Sequence, residues 1–398
     1  MNVPVVPPPA PRKPSKPARF AVLALGFRPF YLLAGAFGAL SIGLWAAQFS
    51  AHVPAAYLLE GSHWHAHEML FGYAFAVMTG FLFTAVRNWT QLPTPTGVPL
   101  ALLAAVWLGG RVLALTSWRE WAMLTDTLFA LGVAAGIGRP LIGSGLSRNF
   151  FFVFLVLALG AANLAFYTAL LGTAPFSPAQ ALAVGLDIVL FIIAVIAGRV
   201  VPMFTNNTVP GAGARRMRAV EVAALGTVLV LLAADLYGHA QLAAVVAAAG
   251  ALAHGARLVL WSPFRARRNP LLWILHASYA WIVVHLALRA AAGFDWITPG
   301  LATHALTIGA IGGMTLGMMT RTALGHTGRA LAAGRAETAS YVLIQLAAAA
   351  RVLLPIAWPA VYLAATGVSG VLWSLAFAIF TVAYWPILTR PRVDGRVG

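Results

Sequence analysis

The chain has no cysteine among its 398 residues. That absence excludes thiolate metal sites, thiolate-ligated haem and disulfides, and it leaves His, Met and oxygen as the metal donors. Charge is almost as scarce: Asp, Glu, Lys and Arg make up 9% of the chain, and only 10 residues are acidic. A soluble domain carries about a quarter charged residues. With 61% hydrophobic residues and a mean hydropathy of +0.84, the chain reads as an all-α polytopic membrane protein. The shortage of acid leaves a net charge of +16, which in a soluble protein would point to nucleic acid. Here the expected partner is the lipid bilayer, with no nucleic acid. The stretch 1–19 is rich in proline and basic residues without a cleavage-site pattern. It is expected to be a disordered cytoplasmic tail and not a signal peptide, ahead of a single membrane domain over 20–398.

A membrane helix needs about 20 mainly apolar residues. Twelve windows qualify, near 26–48, 65–87, 97–115, 120–139, 148–171, 179–203, 217–237, 239–260, 270–291, 300–323, 337–355 and 361–387. With twelve spans both termini share one side, and 22 of the 26 Lys and Arg residues fall on that side. Only Arg111, Arg119, Arg289 and Arg351 fall on the other. The positive-inside rule then makes both termini cytoplasmic and puts the start of the second span at the outer face.

The windows also repeat. Arg28, Arg148 and Arg268 open spans 1, 5 and 9 at steps of 120 and 120. Gly80, Gly198 and Gly317, with Thr90, Thr208 and Thr327, mark the inner ends of spans 2, 6 and 10 at steps of 118 and 119. Arg111 and Arg351 add a 240-residue step between spans 3 and 11. The expectation is three pseudo-threefold four-helix units, over approximately 26–140, 147–260 and 268–390.

The second span opens with His63-Trp64-His65-Ala66-His67-Glu68. Ionisable residues inside a membrane are costly and mark functional sites by default. The 237-residue offset from Gly80 to Gly317 carries His67 onto His304, so these two are expected at one depth on equivalent helices. Span 6 has Gly185 there. Two imidazoles on different helices suit the two axial positions of a haem iron. His65 and His67 point about 200° apart on a helix, so one haem cannot use both, and the other would be left for a second metal such as copper. His63 shares a helical face with His67, and Glu68 is placed to orient a ligand imidazole. The cluster also suits an interfacial polar cap anchored by Trp64. His276 and His326, toward the opposite end of spans 9 and 10, form a lower-ranked inner pair. Gly72, Gly80, Gly309, Gly312, Gly313 and Gly317 admit either a flat cofactor or a neighbouring helix.

The segments "GFRPFYLLAG" (26–35), "WHAHEMLFGYAFAVMTGFLFTAVRNWT" (64–90), "GRVVPMFTNN" (198–207) and "HALTIGAIGGMTLGMMTRTALGHTGR" (304–329) resemble the NnrS family. The resemblance implies a bacterial inner-membrane protein containing haem, of b type, and copper, linked to nitric oxide stress and denitrification. Nitric oxide or another small diatomic is then the expected ligand, with an electron donor such as a quinol or cytochrome. The motif positions are His65, His67, Glu68, His276, His304 and His326. The architecture is also similar to the catalytic subunit of haem-copper oxidases and nitric oxide reductases, but spans 6 and 7 contain no histidine. One haem with a separate copper is therefore expected in place of that superfamily's dinuclear centre. Two other functions stay open: a secondary transporter using Asp126, Asp187 and the Pro202 helix break, and a partner protein that senses metal or gas without turnover.

Overall fold

The structure is a computed structural model that describes residues 20–49 and 61–396. The tail at 1–19, His52 and Glu60 lie outside the described residues. Among those described there is no strand, and twelve apolar helices follow the expected windows closely. They are α1 (Phe27–Phe49), α2 (Gly61–Thr90), α3 (Gly97–Leu113), α4 (Arg119–Gly143), α5 (Ser147–Leu170), α6 (Pro178–Thr208), α7 (Arg218–Leu236), α8 (Ala240–Leu260), α9 (Pro270–Gly293), α10 (Pro299–His326), α11 (Arg335–Ala357) and α12 (Tyr362–Thr389). Eleven are long and apolar enough to cross a membrane; α3, at 17 residues, sits at the short limit of about 17–25. Pro178, Pro270 and Pro299 open helices, where the missing N–H costs no intrahelical bond.

The helix contacts run in a closed ring. In terms of the three four-helix units expected from the sequence, each unit meets the next through its last and first members: α4 on α5, α8 on α9, and α12 back on α1. The second helix of each unit turns inward. The windows of α2, α6 and α10 are 89%, 72% and 78% buried, and no other span exceeds 56%. At the centre these three touch one another, and the Tyr73 and Thr315 hydroxyls join α2 to α10 at 2.6 Å. Arg28, at the start of α1, closes the ring by donating to the carbonyls of Leu388 and Arg390 at 2.9 and 2.8 Å. A guanidinium there satisfies carbonyls that a helix end leaves without partners.

The 237-residue register reappears in the backbone. Both α2 and α10 widen into a π-helical segment, Glu68–Ala74 in one and Ala305–Gly312 in the other. The two segments start 237 residues apart, and each is immediately preceded by a histidine, His67 or His304. Such wide turns recur at functional sites and re-aim the side chains around them. The matched glycines serve helix packing. A Cβ on Gly80 would stand 3.1 Å from the Phe27 backbone of α1, and one on Gly317 would stand 2.9 Å from the Ile274 side chain of α9.

Candidate functional site

A cavity of about 300 Å³ lies where α1, α2, α10, α11 and α12 converge, with Leu182 and Leu186 of α6 as a further wall. Two histidines face it, His65 from α2 and His304 from α10. Their rings are nearly parallel, 9° apart, with centroids separated by 6.4 Å. The His65 ring stacks on Trp45 of α1 at 4.1 Å and 20°, which fixes its plane. His304 Nδ1 is 2.6 Å from the Gly300 carbonyl oxygen. A carbonyl only accepts, so Nδ1 carries the proton and Nε2 keeps its lone pair.

This donor set fits a metal cofactor. A metal ion bound at about 2.0–2.1 Å from one nitrogen of each of two facing imidazoles separates the ring centroids by roughly 6 Å. The bond from His304 Nδ1 to a backbone carbonyl is the contact that a ligating histidine usually makes through the nitrogen that does not bind the metal. Apolar walls from Ile308, Ile311 and Trp373 complete the lining, and Met69 also lines the cavity, its thioether sulfur accepting from the Ser41 hydroxyl at 3.7 Å.

His67 is placed differently from the expectation. It shares the register with His304, but its fully buried ring faces away from the cavity into a polar cluster. Nδ1 lies 2.9 Å from Glu68 Oε1, and Nε2 lies 2.8 Å from Asn163 Oδ1 and 3.5 Å from Asp126 Oδ2. Arg111 completes the cluster. It donates to Glu68 at 3.0 Å and to Asp126 through a short bond, while Tyr167 donates to Asp126 at 3.2 Å. Both ring nitrogens of His67 are therefore engaged, and the histidine brought opposite His304 is His65.

The inner pair is not assembled. His276 Nε2 is 2.9 Å from the Thr205 hydroxyl on α6, whereas His326 lies against Phe27 of α1, with Asn88 of α2 at 3.5 Å. They face different units of the bundle. His254 bonds Tyr279 and the Ala224 carbonyl, and His285 bonds the Ala302 carbonyl. Among the described residues no three His, Asp or Glu side chains converge as a metal-binding group. Met314, Met318 and Met319 are buried in the core. Asp126 and Asp187, the carboxylates named for an ion path, are bound to Arg111 and Arg289 respectively.

Two cavity features went unread in the sequence: Trp45 behind His65, and Arg351 with Tyr362 on the wall. The 240-residue step between Arg111 and Arg351 was the available signal for the second. Nothing local marks Trp45, because its partner lies on another helix.

Residues 21–392 match the family described as NnrS protein, which is nearly the whole chain, and the chain belongs to that family. A comparison with curated proteins returns no match.

Proposed function

We propose that this NnrS-family membrane protein holds a metal cofactor, haem, copper or both, in the His65–His304 cavity, and that it binds or consumes nitric oxide during nitrosative stress and denitrification. The observation that carries the proposal is the parallel pair of imidazoles, 6.4 Å between centroids, facing one mainly apolar cavity. When bound, iron or copper supplies a coordination position and an exchangeable electron for a small diatomic molecule. The protein's residues do the rest. Gly300 fixes the tautomer of His304, so that Nε2 is the free donor. Trp45 holds the plane of His65. The aliphatic and aromatic walls keep water out while admitting an apolar gas from the bilayer. Consumption, as opposed to binding, further requires an electron donor, a quinol or a cytochrome. We place the protein in the bacterial inner membrane from its family, with both termini cytoplasmic on the strength of the arginine distribution.

The test is direct. The detergent-purified protein is measured for a Soret band and for iron and copper by elemental analysis, then titrated anaerobically with nitric oxide. A metal-loaded protein whose spectrum changes saturably with the gas supports the proposal. A preparation that is well folded yet carries neither iron nor copper, even after reconstitution, rejects it.

A further inference from the structure

We infer that the cavity contains an anion site built on Arg351, which takes a carboxylate or a small oxyanion of nitrite size. The inference concerns the cavity of the preceding proposal and rests on that reading for what else occupies it. Arg351 is 4% exposed and lines the cavity together with His65 and His304. Nη2 donates to the Tyr362 hydroxyl at 2.8 Å, and the guanidinium lies over the Tyr362 ring at 4.6 Å. Nη1 is buried without a hydrogen-bond partner. No carboxylate among the described residues comes within ion-pair distance of this side chain.

Three other arginines within the spans meet carboxylates, whereas buried Arg28 donates to backbone carbonyls and buried Arg321, which does not line the cavity, lies over the Phe204 ring at 3.8 Å. Arg111 meets Glu68 and Asp126, Arg257 meets Glu221, and Arg289 meets Asp187 and Asp235. The internal repeat sharpens the contrast. Arg351 occupies in α11 the position that Arg111 occupies in α3, an offset of 240. The carboxylates that neutralise Arg111 come from positions 68 and 126. Carried across by the offsets of 237 and 240, these become Ala305 and Thr366. The third unit therefore keeps the cation, has no acidic residue at either counter-ion position, and opens a cavity beside it, with Thr366 on the wall. An isolated buried charge is expensive. An arginine with an unused N–H in a water-poor cavity is a ready partner for a planar oxyanion. The negative charge that the chain omits must come from what the cavity binds.

Two sources have this chemistry: a carboxylate arm of a bound macrocyclic cofactor, and a free small oxyanion. The experiment separates them. Purified wild-type protein, Arg351→Gln and Arg351→Lys are kept in a Tris–HEPES buffer free of carboxylate salts, measured for haem and copper, and titrated with sodium formate and sodium nitrite by calorimetry. If the anion is free, the wild type binds formate or nitrite saturably. Arg351→Gln then binds on the order of 30-fold more weakly or worse, as expected for loss of one partner of a buried charge pair, and Arg351→Lys falls between. If the anion belongs to a cofactor, added anions bind to none of the three. The haem content then falls severalfold in Arg351→Gln, in protein that remains monodisperse, and recovers in part in Arg351→Lys. Equal anion affinity and equal haem content in wild type and Arg351→Gln overturns the inference. Wild-type protein that binds neither anion and carries no carboxylate-bearing cofactor overturns it too, whatever the variants do. Absence of metal from a wild type that still binds formate through Arg351 would reject the metal proposal and leave this one standing.

Discussion

His65 and His304 both line the cavity, with ring planes 9° from parallel and ring centroids 6.4 Å apart, although the register pairs His304 with His67. Substituting either facing histidine with alanine removes one of two donors. Iron or copper content should fall at least about 10-fold in His65→Ala and in His304→Ala, because losing even a supporting contact typically costs 10–100-fold in metal affinity. His276→Ala and His326→Ala should retain the wild-type content. Elemental analysis of the four variants, with absorption spectra, decides the matter. Full occupancy in both cavity variants would move the site elsewhere.

The cluster around His67 makes a different prediction. Arg111 is the shared partner of Glu68 and Asp126, all buried. Arg111→Leu strands two carboxylates, and breaking a buried pair in this way costs about 3–5 kcal/mol. Adding Glu68→Gln and Asp126→Asn should recover a large part of that loss. Thermal unfolding of the single and triple variants in detergent measures the difference. A triple variant no more stable than Arg111→Leu would show that the ionic pairing is not what the cluster contributes.

The cysteine-free chain allows topology to be read with introduced thiols. Trp296→Cys sits between α9 and α10, and Arg215→Cys between α6 and α7; both positions are exposed. An impermeant maleimide applied to intact cells should label the first and not the second. The reverse pattern would invert the orientation.

At the C-terminal end, hydrogen bonds from Arg392 hold the Asp394 carboxyl below the usual carboxylate range. Arg392 also donates to the His326 carbonyl at 2.8 Å, tying the segment to the end of α10. A depressed folded-state pKa contributes stability that is present above the unfolded value of about 3.9 and lost as the pH falls through the folded pKa. Hydrogen exchange at Val393, whose amide bonds the Thr327 carbonyl at 3.1 Å, should therefore be flat from neutral pH down to about 4 after correction for intrinsic rates, and should lose protection only in stronger acid. Early loss near neutral pH would contradict the contact.

Much of the architecture was determined by the sequence itself. Span length and hydropathy are local properties, so the twelve windows match the helices to within a few residues. Equivalent residues recur at fixed offsets in a repeated fold, so the spacing of Gly80 and Gly317 located the equivalence of α2 and α10, down to the two π-helical segments. That register also put a histidine at the same depth on both helices. Which histidine of the pair His65 and His67 faces the cavity was decided only in three dimensions. The two point about 200° apart on a helix, and the sequence gives no absolute rotation for α2 about its axis. Packing sets it: Trp45 stacks on one ring, while Asn163 and Asp126 bind the other. The state of Arg351 is tertiary for the same reason, since an arginine in a sequence looks the same with a counter-ion or without one. Only the placement of its neighbours shows that α11 has a cation facing a cavity with its charge unanswered.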